Sequence, residues 1–140
     1  MNILDTLRIS ASGLSAQRIR LQTISSNMAN SRSTSGVDGE PYRRKMPVFQ
    51  AIPTNRFGNE LEQEMSRVEV IDVKESEEPF RVVFDPTHPH ANEDGYVKYP
   101  NVDVLYEMVD LMTTSRSYEA NTNVVETTYQ MAGLALELGK

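Results

Sequence analysis

The sequence contains no cysteine and no tryptophan, and it has only 4 phenylalanines and 6 tyrosines among 140 residues. The absence of cysteine excludes disulfide bonds, thiolate metal sites and cysteine nucleophiles, and it leaves the redox compartment open. The small number of aromatic residues argues against a large aromatic pocket. We therefore do not expect a deep active-site cleft.

Long apolar runs are also missing. No segment approaches the roughly 18 apolar residues of a membrane span. Near the N terminus, Arg8, Arg18 and Arg20 interrupt the apolar residues, whereas a secretory leader carries an unbroken apolar run. If the protein leaves the cytoplasm, we expect it to do so without a classical cleaved signal peptide.

Each half of the chain has few charges of one sign. Residues 1–56 carry 8 basic and 3 acidic side chains, and residues 57–140 carry 6 basic and 17 acidic side chains. The one basic cluster is Arg43, Arg44 and Lys45, which is a weak signal for nucleic acid in a protein of net charge -6. The opposite signs fit head-to-tail attraction between copies equally well.

The two ends of the chain predict long helices, over 1–30 and 100–140. Steps of four and three residues from Ile3 and from Val104 reach mostly apolar side chains. Such a seven-residue repeat is typical of helices that supercoil around each other, and we expect the two helices to form an antiparallel coiled coil. The predicted coiled-coil and assembly interface comprises Ile3, Leu7, Leu14, Leu21, Ile24, Met28, Val104, Met108, Leu111, Tyr118, Val125, Tyr129 and Leu136.

The middle of the chain, residues 31–99, is predicted to form a small β-containing module. Short β-rich runs occupy 47–52, 68–73 and 80–84, and the turn signal Asp94-Gly95 precedes the run YVKY. The predicted fold is therefore mainly α with a small β module. The acidic residues Glu60, Glu62 and Glu64 lie between these runs, and we interpret them as a solvated acidic face.

Few residues could support catalysis or metal binding. His88 and His90 lie near Asp85, but Pro86 and Pro89 favour an extended turn, and the sequence places no third ligand. An exposed loop is the preferred interpretation. We predict no catalytic residue, no cofactor, no metal, no small-molecule substrate and no nucleic-acid partner.

The heptad stripe alone leaves two interpretations open. In an ordinary helical hairpin, the stripe of each helix would be buried against the other. A second apolar row on the C-terminal helix instead favours lateral packing between copies. This row comprises Leu105, Val109, Met112, Val124 and Leu134. Polar seam positions such as Ser10 and Gln17 weaken an isolated pair, so we expect the ends to become ordered on assembly.

Three segments resemble a known family. They are SGLSAQRIRLQTISSNMANSRS (12–33), DGEPYRRK (38–45) and GYVKYPNVDVLYEMVDLMTTSRSYEANTNVV (95–125). Their sequence is similar to that of the flagellar axial proteins, which form the rod and hook of bacterial flagella. The family motifs and turns fall at Asn27, Asn30, Tyr99, Pro100, Asn101, Arg116 and Asn121.

The resemblance implies a structural subunit of the proximal rod of the flagellar basal body, in the periplasm. In that family, subunits leave the cell through the flagellar type III export apparatus and assemble with further copies and with rod proteins above and below. A secreted coiled-coil adaptor that does not polymerise is the alternative hypothesis. A hydrolytic enzyme that uses His88, His90 and Glu64 is a third.

Overall fold

The computed structural model describes residues 3–36, 39–53 and 66–139. Helix α1 spans Ile3–Ala29 and helix α2 spans Val104–Leu138, with 27 and 35 residues. At 1.5 Å per residue they are about 40 and about 52 Å long. The predicted fold, mainly α with a small β module, is confirmed. The division into domains at 1–30, 31–99 and 100–140 stays a prediction.

The start of α2 is capped by Asp103. Its carboxylate accepts hydrogen bonds from the backbone N–H groups of Leu105, at 2.9 Å, and Tyr106, at 3.3 Å. These are two of the donors that a helix N-terminus leaves without an intrahelical partner. The sequence predicts Asn2 as the cap of the first helix, and this residue lies outside the described residues.

The middle of the chain forms two antiparallel hairpins. Strand β1 (Lys45–Pro53) pairs with β2 (Ser66–Glu75), and a bulge between Val48 and Phe49 shifts their register. Strand β3 (Arg81–Phe84) pairs with β4 (Tyr96–Tyr99) in a separate two-stranded sheet. All four predicted β runs correspond to these strands. The acidic residues Glu60, Glu62 and Glu64 lie outside the described residues.

Gly95 sits in the turn that precedes β4. Its φ is +80°, and a Cβ there would lie 3.0 Å from the ring of Phe84. Both the positive φ and the close approach favour glycine at this position. The turn thus brings Phe84 and Tyr96 edge to face, with ring centroids 5.2 Å apart.

The two helices run antiparallel in a constant register. The Asn27 side chain contacts Glu107. A Cβ on Gly13 would lie 3.1 Å from the side-chain nitrogen of Asn121. Gly13 is fourteen residues before Asn27, and Asn121 is fourteen residues after Glu107. The pairing of facing residues therefore keeps the same register over two heptads, as a coiled coil requires. Continued to the end of α1, this register places Ile3 opposite Met131, so α2 extends seven residues, about 10 Å, past Ile3.

The apolar core of the single chain is small. Among the described residues, the buried apolar side chains are Ala16, Ile24 and Val97. The buried polar side chains are more numerous: Ser10, Thr23, Asn27, Ser76, Glu107, Thr114 and Thr128. A core of this kind gives limited stability to one chain alone. In the described part of the protein, neither helix combines the length and apolar character needed to cross a bilayer.

Candidate assembly site

Asn27, near the end of α1, joins three parts of the fold. Its side-chain oxygen accepts hydrogen bonds from the Lys45 backbone N–H and the Tyr42 hydroxyl, both at 2.9 Å. Its amide donates to the Lys45 carbonyl at 2.9 Å and to Glu107 Oε2 at 3.2 Å. The residue is 1% exposed, and all four hydrogen-bonding positions of its side chain are used. Asn27 thus connects α1, α2 and β1.

Glu107 is fully buried in the first turns of α2 and pairs with Arg44. The Arg44 Nε donates to Glu107 Oε1 at 2.6 Å, and its guanidinium carbon lies 5.1 Å from the centre of the Tyr106 ring. A charge-assisted bond of this geometry satisfies a carboxylate that water cannot reach. Loss of either partner would leave the other charge buried and unpaired.

Asn101 and Asn30 complete this group, which we call the polar junction: Asn27, Asn30, Tyr42, Arg44, Asn101 and Glu107. Asn101 accepts from the Arg44 backbone N–H at 2.8 Å and donates to the Glu78 carbonyl at 3.0 Å. The Asn30 side chain donates to the Ser26 carbonyl at 2.8 Å, beside the bond of 3.1 Å from the Asn30 backbone N–H to the same oxygen, and so adds a second hydrogen bond at the end of α1. The polar junction therefore holds the chain where it leaves α1 and where it enters α2.

The remaining predicted motif residues are more dispersed. Pro100 is buried next to the junction, and Tyr99, half-buried at the end of β4, lies under the Arg81 guanidinium at 5.4 Å. Asn121 lies far along α2 against Gly13. Arg116 is exposed.

Sequence analysis did not identify the roles of Arg44 and Glu107. Arg44 belongs to the basic triplet that was considered as a weak nucleic-acid signal, but its charge is directed inward to Glu107. A signal was present: Glu107 lies seven residues before Thr114 and fourteen before Asn121, so these polar residues share one row of the helix. An acidic residue in a buried row calls for a basic partner elsewhere in the chain.

The helix seam is more polar than the apolar repeat indicates. The α2 face toward α1 includes Glu107, Thr114, Asn121 and Thr128, which are spaced seven residues apart. The buried hydroxyls of Thr114 and Thr128 donate to carbonyls one turn earlier, at 2.6 and 2.7 Å. Beside this row, Arg20 forms a bidentate ion pair with Asp110. Polar groups thus take much of the space between the helices.

The predicted interface residues fall into two groups. Half-buried or buried residues lie in or beside the seam: Leu7, Leu14, Leu21, Ile24, Met28, Leu111 and Val125. The others are 38% to 74% exposed in the single chain: Ile3, Val104, Met108, Tyr118, Tyr129 and Leu136. In the repeat counted from Val104, every second residue lies one position after a residue of the buried row. The offset arises because the repeat follows apolar side chains, whereas the buried row is polar. The role of the whole set in assembly stays a prediction.

The second apolar row of α2 lies largely in solvent. Leu105 is 71% exposed, Val109 57%, Met112 61% and Leu134 61%, and Val124 is 43% exposed. Leu105, Val109 and Met112 lie on the side of α2 opposite the buried polar row, since helix positions repeat every seven residues. We call these three residues the outer apolar patch. Contiguous exposed apolar surface of this kind marks an interaction site.

The histidine loop has local hydrogen bonds. Thr87 donates to Asp85 Oδ1 from its hydroxyl at 2.7 Å and from its backbone N–H at 3.1 Å, and these bonds lower the pKa of Asp85 below its ordinary value. His90 Nδ1 lies 2.9 Å from the Thr34 hydroxyl. Among residues 3–36, 39–53 and 66–139, no three acidic or histidine side chains converge as metal ligands.

Comparison with known proteins places both helices in flagellar families. Residues 7–36 match the model "Flagella basal body rod protein", and residues 93–138 match "Flagellar basal body rod FlgEFG protein C-terminal". Proteins named "Flagellar basal-body rod protein FlgC" are 44% identical in Bacillus subtilis and in Salmonella typhimurium, over the full length of both chains. The one from Aquifex aeolicus is 42% identical over the whole of this chain and 99% of its own. The chain therefore belongs to the FlgC family of flagellar basal-body rod proteins.

Proposed function

We propose that this protein is a structural subunit of the proximal rod, which polymerises through its terminal helices and transmits torque for motility. Its partners in this proposal are further copies of itself and the rod proteins above and below. It reaches the periplasm through the flagellar type III export apparatus, without a cleaved signal peptide. It performs no catalysis and needs no cofactor.

The observation that carries the proposal is the unpartnered apolar surface of α2. The outer apolar patch faces away from α1, and its three side chains are each more than half exposed. Transfer of one such side chain from water into an interface stabilises an assembly by roughly 1.5–3 kcal/mol. Because the core of the single chain is small, burial of this patch by neighbours would add to its stability.

The polar junction supports the mechanical part of the proposal. Arg44 and Asn27 tie the β module to both helices at one place, through bonds of 2.6 to 3.2 Å. A module held by a satisfied polar network resists rotation about its attachment more strongly than one on a flexible linker. Force applied to the helices would therefore pass directly into the outer module.

Substitution of the outer apolar patch tests the proposal. We expect the double substitution Leu105→Glu and Val109→Glu to leave the helical content of the purified protein unchanged, because neither side chain is buried. In cells, the same variant should be lost from purified basal bodies and should abolish swimming. Lys74→Glu, which adds an acidic group at an exposed site on β2, is the control and should keep both.

The adaptor hypothesis predicts a different result. An adaptor that binds one partner would form a discrete complex of fixed stoichiometry in the soluble fraction. Purified basal bodies would then lack the protein. That finding would contradict the role as a rod subunit.

A further inference from the structure

The outward faces of the two helices carry opposite charges. On α1, the exposed residues from Leu4 onward recur in steps of four and three and so form one stripe along the helix. The charged residues of this stripe are Arg8 and Arg18. On α2, the exposed acidic residues Glu119, Glu126 and Glu137 lie on the side away from α1. The ion pairs found among the described residues involve none of these five side chains. Among residues 3–36, 39–53 and 66–139, each face is thus left without an ion-pair partner.

We propose that α1 of a second copy packs along the C-terminal half of α2. Compared with the register of α1 and α2 within one chain, this second α1 is displaced along α2 by about ten residues, or about 15 Å. This proposal rests on the proposed rod function and specifies one of its lateral contacts. In the displaced register, Arg18 of one copy faces Glu126 of the other, and Arg8 faces Glu137. The interface is antiparallel, like the pairing of α1 and α2 inside each chain.

Charge spacing selects this register. Arg8 and Arg18 are ten residues apart, and Glu126 and Glu137 are eleven apart, so one alignment pairs both. Without displacement, Arg8 would be level with Glu126, but Arg18 would be level with Arg116, and these two like charges would repel. Glu119 and Glu126 are seven apart and do not match the spacing of the two arginines.

The end of α2 gives a second reason for the displacement. Its last seven residues run beyond Ile3, so the chain's own α1 leaves them uncovered in the described structure. Leu134 and Leu136, which precede Glu137, are 61% and 74% exposed. In the displaced register they face residues 8–10 of the second copy. One neighbour would therefore cover the apolar end and pair the acidic residues beside it.

The outward stripe of α1 is bordered on one side by β2, whose Val68 backbone N–H donates to Ser12 Oγ and which forms a cleft with Ser15. The second copy therefore packs on the other side of the stripe, where Ala11 and Arg18 lie and where Ala11 is short. Short side chains allow two helix backbones to approach closely, and the large apolar groups of α2 can then fill the space on either side. The arginine stems add apolar contact while their charged ends stay near the rim.

Cross-linking of the full-length protein in basal bodies tests the register. Because the chain has no cysteine, paired substitutions introduce the only thiols in the protein. A short bismaleimide is preferable to a disulfide, which needs Cα atoms closer than an arginine–glutamate contact allows. We expect dimers from Arg18→Cys co-expressed with Glu126→Cys, and from Arg8→Cys with Glu137→Cys. Arg8→Cys with Glu126→Cys, which are level in the undisplaced register, should give none.

Charge reversal gives an independent result. Arg18→Glu alone should reduce swimming and the amount of protein in the rod, and adding Glu126→Arg should restore both. Adding Glu119→Arg instead should restore neither. Restoration by Glu119→Arg, or dimers from the undisplaced pair, would overturn the register while leaving the rod function intact. Absence of the protein from basal bodies would overturn both proposals.

Discussion

Asn27 on α1 donates a hydrogen bond to Glu107 on α2 at 3.2 Å, in a place where neither side chain reaches solvent. The two residues are eighty positions apart in the sequence. The same asparagine binds both backbone groups of Lys45, so one side chain fixes the helix pair and the start of the first strand together.

Asn27→Ala should destabilise the protein strongly. The substitution leaves the Lys45 backbone groups without their side-chain partner, and it removes one of the two contacts of the Tyr42 hydroxyl, which also lies 3.3 Å from Ser26 Oγ. Since each unsatisfied buried group costs roughly 1–3 kcal/mol, we expect the free energy of unfolding in urea to fall by about 3 kcal/mol. Asn123→Ala, at an exposed site, is the control. Equal stability of the two variants would contradict the role of Asn27.

Arg44→Met should cost more than Lys45→Met. Arg44 pairs at 2.6 Å with a fully buried carboxylate, whereas Lys45 lies 3.9 Å from an exposed one on Glu75. Breaking a buried pair typically costs about 3–5 kcal/mol, and an exposed pair contributes about 1 kcal/mol or less. Unfolding curves of both variants measure the difference. If Glu107→Leu added to Arg44→Met recovers stability, the penalty comes from the unpaired charge.

Gly13→Leu should separate the helices near their middle. A Cβ at this position would lie 3.1 Å from the Asn121 amide nitrogen, and a larger side chain would push α2 away. We expect faster amide hydrogen exchange in both helices around this level. At Gly133 a Cβ meets no neighbouring atom, so Gly133→Leu provides the control. Unchanged exchange in Gly13→Leu would show that the two helices are not in close contact there.

The pKa of Asp85 predicts a local effect of pH. Because hydrogen bonds from Thr87 lower the folded-state pKa below 3.8, the ionised form is favoured in the folded turn. This contribution is complete above the unfolded-state pKa and is lost as pH falls through the lower folded-state value. Thr87→Val, which removes the hydroxyl donor, should raise the pKa of Asp85 in an NMR titration. A titration curve unchanged by that substitution would exclude the hydroxyl as the cause.

Periodicity and turn chemistry predicted most of the fold. The long helices follow from the apolar repeat, and β4 follows from the Asp94-Gly95 turn, where the positive φ of Gly95 is required. Such local patterns carry no information on contacts between distant residues. The pairing of Arg44 with Glu107 depends on how three segments meet. The polar row of α2 indicates that Glu107 needs a basic partner, but it does not indicate which residue that partner is.

The seam illustrates a second limit of prediction. Hydrophobic periodicity locates the apolar rows of α2, but here the face toward α1 is the polar row that contains Thr114 and Thr128. The apolar row opposite it is exposed. A sequence read as a single chain assigns apolar residues to its own core, whereas a subunit that polymerises can keep them for its neighbours.

Electron microscopy of purified basal bodies, at a resolution that locates side chains, tests the central claim most directly. The measurement is the exposure of Leu105, Val109 and Met112 in the assembled rod, compared with 71%, 57% and 61% in the single chain. We predict that adjacent rod subunits bury all three. If these side chains still face solvent in the assembled rod, the apolar surface of α2 does not drive assembly and the account is wrong.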